Sequence, residues 1–336
     1  MPFHAIIGHR RVVSLLSRAI ARETLPPALL LAGPPGVGKR RTALALAEAI
    51  NCLRPEVRGD LKRDACGACA SCKRIARGVH PDVIVLEPGD MGSIKIEPIR
   101  DVIDRAGYRP FEGRRRVVII DEADALVPQA QNALLKTLEE PPSASVFVLV
   151  SSMPDALLGT VRSRCSRLRF GPLSAGEVAD ALMRDHEYDE VEARAAAADA
   201  DGSIGRALSA ESADLIGARE SARQLLHHAA RVSDPARRLD AAKDLTGKKG
   251  SSAERDQLAA CLRAMASLLR DLGVLATRAD ARVLANADLA PELQALTKSY
   301  DSERSMRAYQ AVDRALGALE RNASAKVVAD WLVLQL

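Results

Sequence analysis

Apolar and polar positions follow two rhythms along this chain, and the change comes after residue 170. Before it, unbroken apolar runs alternate with stretches of helical spacing. Val13, Leu16 and Ile20 recur about one helical turn apart, which predicts a helix over Arg10–Ala21, closed off by Pro26-Pro27. Ala28-Leu29-Leu30-Leu31-Ala32 reads as a strand buried on both faces, Val83-Ile84-Val85-Leu86 as a second strand, Val117-Val118-Ile119-Ile120 as a third, buried one and Val146-Phe147-Val148-Leu149-Val150 as a fourth. Helices are predicted at 41–51, 97–107 and 129–139, the last stopped by Pro141-Pro142. Strands alternating with helices imply an α/β domain, a parallel sheet with helices on both faces. Beyond Phe170 the strand-like runs stop. Ser174 and Glu177 form a capping box flanked by Leu173 and Val178. The remainder is Ala-, Leu- and Arg-rich and reads as nearly all helix, with a loop at 246–252 and no repeat of solenoid period. The pattern divides the chain into an α/β domain at 1–170, a small helical domain at 171–208 and an all-α bundle at 209–336.

Composition sharpens this picture at three points. A length of 336 residues suits two or three domains, and 47% hydrophobic with 27% charged residues is an ordinary globular mix that excludes disorder over most of the chain. No apolar run approaches the ~20 residues that span a bilayer. The start, Met1-Pro2-Phe3-His4-Ala5-Ile6-Ile7-Gly8-His9, has no basic region followed by a long apolar one, so the expected compartment is the cytoplasm, with no membrane partner. Net charge is +4 overall, but +8 within residues 1–170 and −4 within 171–336. The basic half suits phosphates, whether of nucleotide or nucleic acid, and equally suits a plain solvated surface. At 3%, aromatics are too sparse for a surface that stacks single-stranded bases.

Four of the six cysteines fall within 21 residues: Cys52, then Cys66, Cys69 and Cys72 at x2 spacing, while Cys165 and Cys261 stand alone. The clustered spacing of this module, 52–72, suits a structural zinc ion, whose four tetrahedral corners are closed by four thiolates. A disulfide framework matches a cytoplasmic chain poorly, and iron–sulfur clusters commonly use other spacings. Gly67 helps the turn bend. His80 is an alternative ligand that ranks below Cys52. Cys165 and Cys261 are expected to be small buried hydrophobes.

Gly33-Pro34-Pro35-Gly36-Val37-Gly38-Lys39 fits G-x-x-x-x-G-K between a buried strand and a helix, the context of a phosphate loop. Its backbone amides, the helix N-terminus and Lys39 all favour phosphate. The next position carries Arg40, where such loops place a Ser or Thr hydroxyl on Mg²⁺. Arginine has no acceptor lone pair and repels a cation. Thr42, two positions on, is turned about 200° away around the helix. Magnesium-supported hydrolysis is therefore expected to be badly impaired or absent. Two readings stay open: ATP held only by Lys39 and the backbone amides, or an empty loop kept as scaffold. The third strand ends in Asp121-Glu122-Ala123-Asp124, where a working ATPase would set a metal-binding Asp121 and a water-polarising Glu122. Arg164, in Ser163-Arg164-Cys165, is either a surface arginine or a finger offered to a neighbour's nucleotide.

Taken together these motifs resemble the clamp-loader ATPases of the AAA+ class, over residues 3–208. The resemblance is carried by Ile6-Ile7-Gly8-His9, the phosphate loop, the four cysteines, Val118-Ile119-Ile120-Asp121-Glu122-Ala123-Asp124, the stretch Asn132-Ala133-Leu134-Leu135-Lys136-Thr137-Leu138-Glu139-Glu140-Pro141-Pro142 and Ser163-Arg164-Cys165. It implies a P-loop AAA+ domain with a zinc-binding insertion, a helical lid and a helical collar. It further implies a subunit of the five-membered ring of DNA polymerase III that opens a sliding clamp and places it on primer–template DNA. Its partners would be gamma/tau motor subunits and the delta subunit. With Arg40 in place, the chain would be a non-hydrolysing stator, not an enzyme on its own, offering Arg164 in trans. Gly33, Gly36, Gly38, Lys39, Asp121 and Glu122 would then be a nucleotide site or its remnant. Ser151 or Ser152 and Arg206 would occupy the two sensor positions. The polymerase reaction would lie in another subunit, since nothing here resembles a nucleotidyl-transfer site. One alternative is a gamma/tau-type motor subunit using Lys39, Asp121 and Glu122; a third reading is a zinc-bearing DNA-binding module.

Overall fold

The structure is a computed structural model that describes the chain except residues 90, 210, 211, 233, 244–251, 280–282 and 322. The loop read at 246–252 lies outside the described residues apart from Ser252, which opens a helix. The chain forms two compact units, Met1–Pro172 and Leu173–Leu336.

In the first unit the strands are β1 (Ala28–Ala32), β2 (Glu56–Arg58), β3 (Leu61–Asp64), β4 (Val83–Leu86), β5 (Arg116–Ile120), β6 (Ser145–Ser151) and β7 (Ser166–Arg169). The helices are α1 (Arg10–Ala21), α2 (Lys39–Asn51), α3 (Ala70–Ala76), α4 (Ile96–Gly107), α5 (Pro128–Glu139) and α6 (Gly159–Arg162). The four apolar runs are the strands β1, β4, β5 and β6, joined with β7 in one parallel sheet of order β4-β5-β6-β1-β7. Every residue of β1, β5 and β6 is buried, because helices cover both faces. Alternate side chains serve the two faces. Leu29 and Leu31 pack with Val13 and Leu16 of α1 and Leu46 and Ile50 of α2. Leu30 packs on the other face with Ile99 of α4 and Leu134 of α5.

Strand β7 was not expected. Ser166-Arg167-Leu168-Arg169 has a single aliphatic residue, yet it pairs with β1. As an edge strand it needs only one partner, and its arginines discourage further pairing. The antiparallel hairpin β2–β3 was also unexpected; Gly59, at φ 56°, lies in the turn between its strands.

The second unit is helical among its described residues: α7 (Ala175–Asp185), α8 (Glu190–Asp199), α9 (Ile204–Ser209), α10 (Ser212–Arg231), α11 (Pro235–Lys243), α12 (Ser252–Ala276), α13 (Ala290–Leu296), α14 (Ser302–Glu320) and α15 (Ala325–Val333). The capping box at Ser174 and Glu177 is formed in both directions. Leu258, Leu262, Met265, Leu269 and Leu272 draw one buried stripe along α12, against Leu225 of α10 and Val312 of α14. No helix among the described residues is long and apolar enough to cross a membrane.

Candidate functional site

The sheet reverses its order of construction at β1, which lies between β6 and β7. Open α/β sheets bind ligands at the carboxyl ends of the strands beside such a reversal. The loop Gly33–Gly38 leaves β1 at that end. Gly36 and Gly38 have φ of 70° and 98°, the left-handed region that L side chains avoid. Gly33 is fixed for another reason: a Cβ there would lie 2.2 Å from the carbonyl oxygen of Phe170. Its N–H donates to Ser151 O at 3.3 Å, which ties the loop to β6. Lys39 is buried at 5% exposure, and its Nζ donates to the carbonyls of Gly33 (2.8 Å) and Pro34 (2.6 Å) and to Ser152 Oγ (3.0 Å). Burial lowers its pKa, against the opposing pull of the Asp121 and Asp124 charges. Thr42 faces inward, fully buried, and donates its hydroxyl to Gly38 O at 3.0 Å.

Arg40 points to the ends of β4 and β5. It pairs with Glu87, and its Nε is 3.4 Å from Asp121 Oδ2. The register Leu86↔Ile120 explains this, because Glu87 and Asp121 each follow one member of that pair. Asp121 is nearly buried; burial raises its pKa, while Arg40 and Lys39 pull it down. Glu122 is exposed and takes a left-handed φ of 45°. Asp124 accepts the Ser152 N–H at 2.9 Å, and burial of its carboxylate is outweighed by hydrogen bonds that hold its pKa down. The structure thus brings Lys39, Arg40, Asp121 and Asp124 together with Ser152.

One neighbour of the loop, Glu87, escaped the sequence reading and is visible only through strand register. His9, which the sequence placed in a resembling motif without a role, also meets the loop: its Nε2 lies 2.9 Å from Val37 O, and its ring meets Phe170 edge-on at 4.7 Å. Arg164 stands apart from these groups. Its Nε donates to Glu139 Oε1 at 2.8 Å and Nη1 to Thr160 O at 2.8 Å, with the side chain partly exposed. Arg206 lies in the other unit, 2.9 Å from Asp201 and 3.8 Å from Asp199.

The four clustered cysteines meet at the far end of α2, a helix about 20 Å long by its 13 residues. Cys52 caps it, and Cys66, Cys69 and Cys72 arrive through β3 and the start of α3. Their ligand atoms all lie within 4.8 Å of one another, with Cys52–Cys66 at 3.6 Å, Cys52–Cys69 at 3.9 Å and Cys69–Cys72 at 3.4 Å. Amides point at the sulfurs: Cys66 N–H to Cys52 Sγ (3.3 Å), Cys69 N–H to Cys66 Sγ (3.4 Å) and Cys72 N–H to Cys69 Sγ (3.5 Å). Gly67 makes the bend at φ 69°. Burial pushes the Cys52 and Cys72 thiols up; burial also opposes charge on Cys69, but the Cys72 and Leu53 amides and neighbouring thiols bring it to about 6. Four converging sulfurs of this kind can hold one metal ion. His80 is not among them. Its Nε2 lies 3.1 Å from Ser71 Oγ and its Nδ1 accepts from the Asp82 amide at 3.1 Å. Cys165 and Cys261 are buried, as expected.

Residues 8–174 match the family described as DNA polymerase III, delta subunit. The chain is similar to DNA polymerase III subunit delta' of Pseudomonas aeruginosa, 40% identical over 153 residues, covering 45% of this chain and 45% of that one. It is 36% identical over 173 residues to the delta' subunit of Bacillus subtilis, covering 52% and 50%, and 33% identical over 204 residues to the tau subunit of the same organism, covering 59% and 35%. The matched stretch thus spans about half or less of the length of these relatives. Residues 8–174 are thus similar to the delta and delta' subunits of DNA polymerase III.

Proposed function

We propose that this chain is the delta-prime-type stator of a DNA polymerase III clamp loader. In this role it works in the cytoplasm beside gamma/tau motor subunits and a delta subunit, and helps place a sliding clamp on primer–template DNA. The observation that carries the reading is Arg40. A guanidinium held between Glu87 and Asp121 stands where a phosphate loop needs a hydroxyl for magnesium. It has no lone pair to offer and adds a positive charge, so the donor set does not fit a magnesium ion. Hydrolysis at this loop is not supported, and the stator role does not require it. Gly33, Gly36, Gly38, Lys39, Asp121 and Glu122 keep the outline of a nucleotide site. Arg164 is the residue offered outward: partly exposed and held by Glu139 and Thr160, it reaches the nucleotide of the adjacent motor subunit and neutralises developing phosphate charge. Residues 171–208 act as lid and 209–336 as collar. The four cysteines hold a structural zinc ion; tetrahedral zinc with Zn–S near 2.3 Å spaces its sulfurs about 3.8 Å apart, close to the separations here.

The test is reconstitution with motor subunits, clamp and primed DNA. The isolated chain turns over no ATP. In the ring, Arg164→Ala lowers ATP turnover and clamp loading; finger removal at a single site costs ~10³–10⁵ in rate at that site. Unchanged turnover in that variant removes the finger role. The similarity to a tau subunit and the presence of Lys39, Asp121 and Glu122 favour a second reading, a motor subunit. Robust turnover with this chain as sole ATPase, lost on Lys39→Ala, would decide for it.

A further inference from the structure

The backbone on either side of Arg164 is fixed by burial. Val161 before it and Cys165 after it lie in one apolar cluster with Leu134 and Leu138 of α5, and the Arg164 N–H donates to Val161 O at 3.2 Å. The side chain is another matter. An arginine that is 31% exposed keeps its rotamers open unless its head is tied down. Glu139, the last residue of α5, ties it: Oε1 accepts from Arg164 Nε at 2.8 Å and from Nη2, while Thr160 O accepts from Nη1 at 2.8 Å. One N–H on Nη1 and one on Nη2 have no partner among the described residues and can meet an outside oxygen. A carboxylate at a helix C-terminus faces the negative end of the helix dipole, so Glu139 is badly placed for α5 itself. Its place is explained by Arg164.

We propose that Glu139 is a positioning residue for Arg164, holding the guanidinium with its unpartnered N–H groups toward the phosphate of the adjacent motor subunit. The inference rests on the finger reading of Arg164 and adds the residue that aims the finger. Two effects of the carboxylate oppose each other. Its charge offsets that of the guanidinium and weakens the pull on phosphate. The pair is open to water, however, with Glu139 at 49% exposure, and an interaction between such charges is small. Its hydrogen bonds fix the rotamer of Arg164 before the transition state forms, a gain in orientation that water does not screen. Positioning therefore outweighs charge, and loss of the carboxylate slows the neighbour.

The reconstituted ring, with clamp and primed DNA, tests this when ATP turnover is resolved into kcat and KM. Glu139→Ala lowers kcat by about tenfold at the site beside this chain, less than Arg164→Ala does, and leaves KM for ATP unchanged. Glu139→Gln keeps an oxygen for Nε and Nη2 and recovers most of the rate. In an Arg164→Ala background Glu139→Ala takes nothing further away, because the two side chains act as one unit. Circular dichroism melts of wild type and Glu139→Ala coincide, since an exposed pair contributes little stability. Unchanged or raised turnover in Glu139→Ala, a raised KM with kcat intact, no recovery in Glu139→Gln, a further loss in the double variant or a lowered melt overturns the proposal. Failure of the finger reading looks different: there Arg164→Ala itself keeps full turnover. A loss in Arg164→Ala beside full turnover in Glu139→Ala removes the role of Glu139 alone.

Discussion

Asp82, fully buried at the start of β4, fixes the loop between α4 and β5. Its carboxylate accepts the N–H groups of Phe111 (2.7 Å), Glu112 (2.9 Å) and Gly113 (2.8 Å) and a bond from Arg116 (3.0 Å). Burial works against its charge, but these four donors win and hold its pKa at about 2. The folded value lies below the ordinary carboxylate value, so the stabilisation is present above about pH 4 and is lost as pH falls through about 2. It is on the order of 2 kcal/mol. Asp82→Asn is expected to destabilise the α/β unit by at least that much at pH 7, measured by urea unfolding. The gap between variant and wild type should narrow toward pH 2; a gap that stays constant would show that the carboxylate charge is not what holds the loop. Such residue-level roles were unequally legible. Lys39, Arg40 and the four cysteines could be read because their chemistry is written in contiguous or closely spaced letters. Glu87 and Asp82 could not, since each acts through a neighbour that only strand register or loop closure supplies, and His9 was legible as part of a motif but not in its contact with the loop.

At the scale of elements, what the sequence revealed depended on burial. Strands covered on both faces must be continuously apolar, so β1, β5 and β6 announced themselves, as did β4, an edge strand whose four residues are apolar although only Ile84 is buried. Strand β7 and the β2–β3 hairpin did not, because an edge strand and a surface hairpin satisfy their backbone while keeping charged side chains in water. The hairpin and α3 contribute few apolar side chains to the core: between residues 52 and 76 the buried ones are three cysteines, Leu61, Ala65 and Ile75. A segment with so small a core gains from a staple, and the four converging sulfurs can hold a metal ion that would serve as one. Elemental analysis should find about one zinc per chain. Chelation should lower the melting temperature of this unit and open residues 53–69 to proteolysis, while leaving the main sheet folded longest. A metal-free preparation with an unchanged melt and unchanged cleavage pattern would deny the ion a structural role.

At the scale of the whole molecule, the helices expected to form a lid at 171–208 and those expected to form a collar at 209–336 are bound into one another. Ser267 Oγ of α12 donates to Ala198 O of α8 at 3.1 Å, and Asp199 at the end of α8 lies 3.6 Å from Arg263 of α12. Arg270 of α12 lies 3.4 Å from Asp201, which also pairs with Arg206. The exposed ion pairs among these are individually weak, but α8 also buries a row of alanines, Ala193 and Ala195 to Ala198. Small side chains allow close helix approach, and separating α8 from α10 and α12 would return that surface to water. Residues 173–336 should therefore fold as an isolated fragment and melt in a single cooperative transition, without a lid that unfolds first. Two resolved transitions by calorimetry, or hydrogen exchange in α7–α9 that is fast while α12 and α14 stay protected, would mean that the lid is an independent domain resting on the bundle.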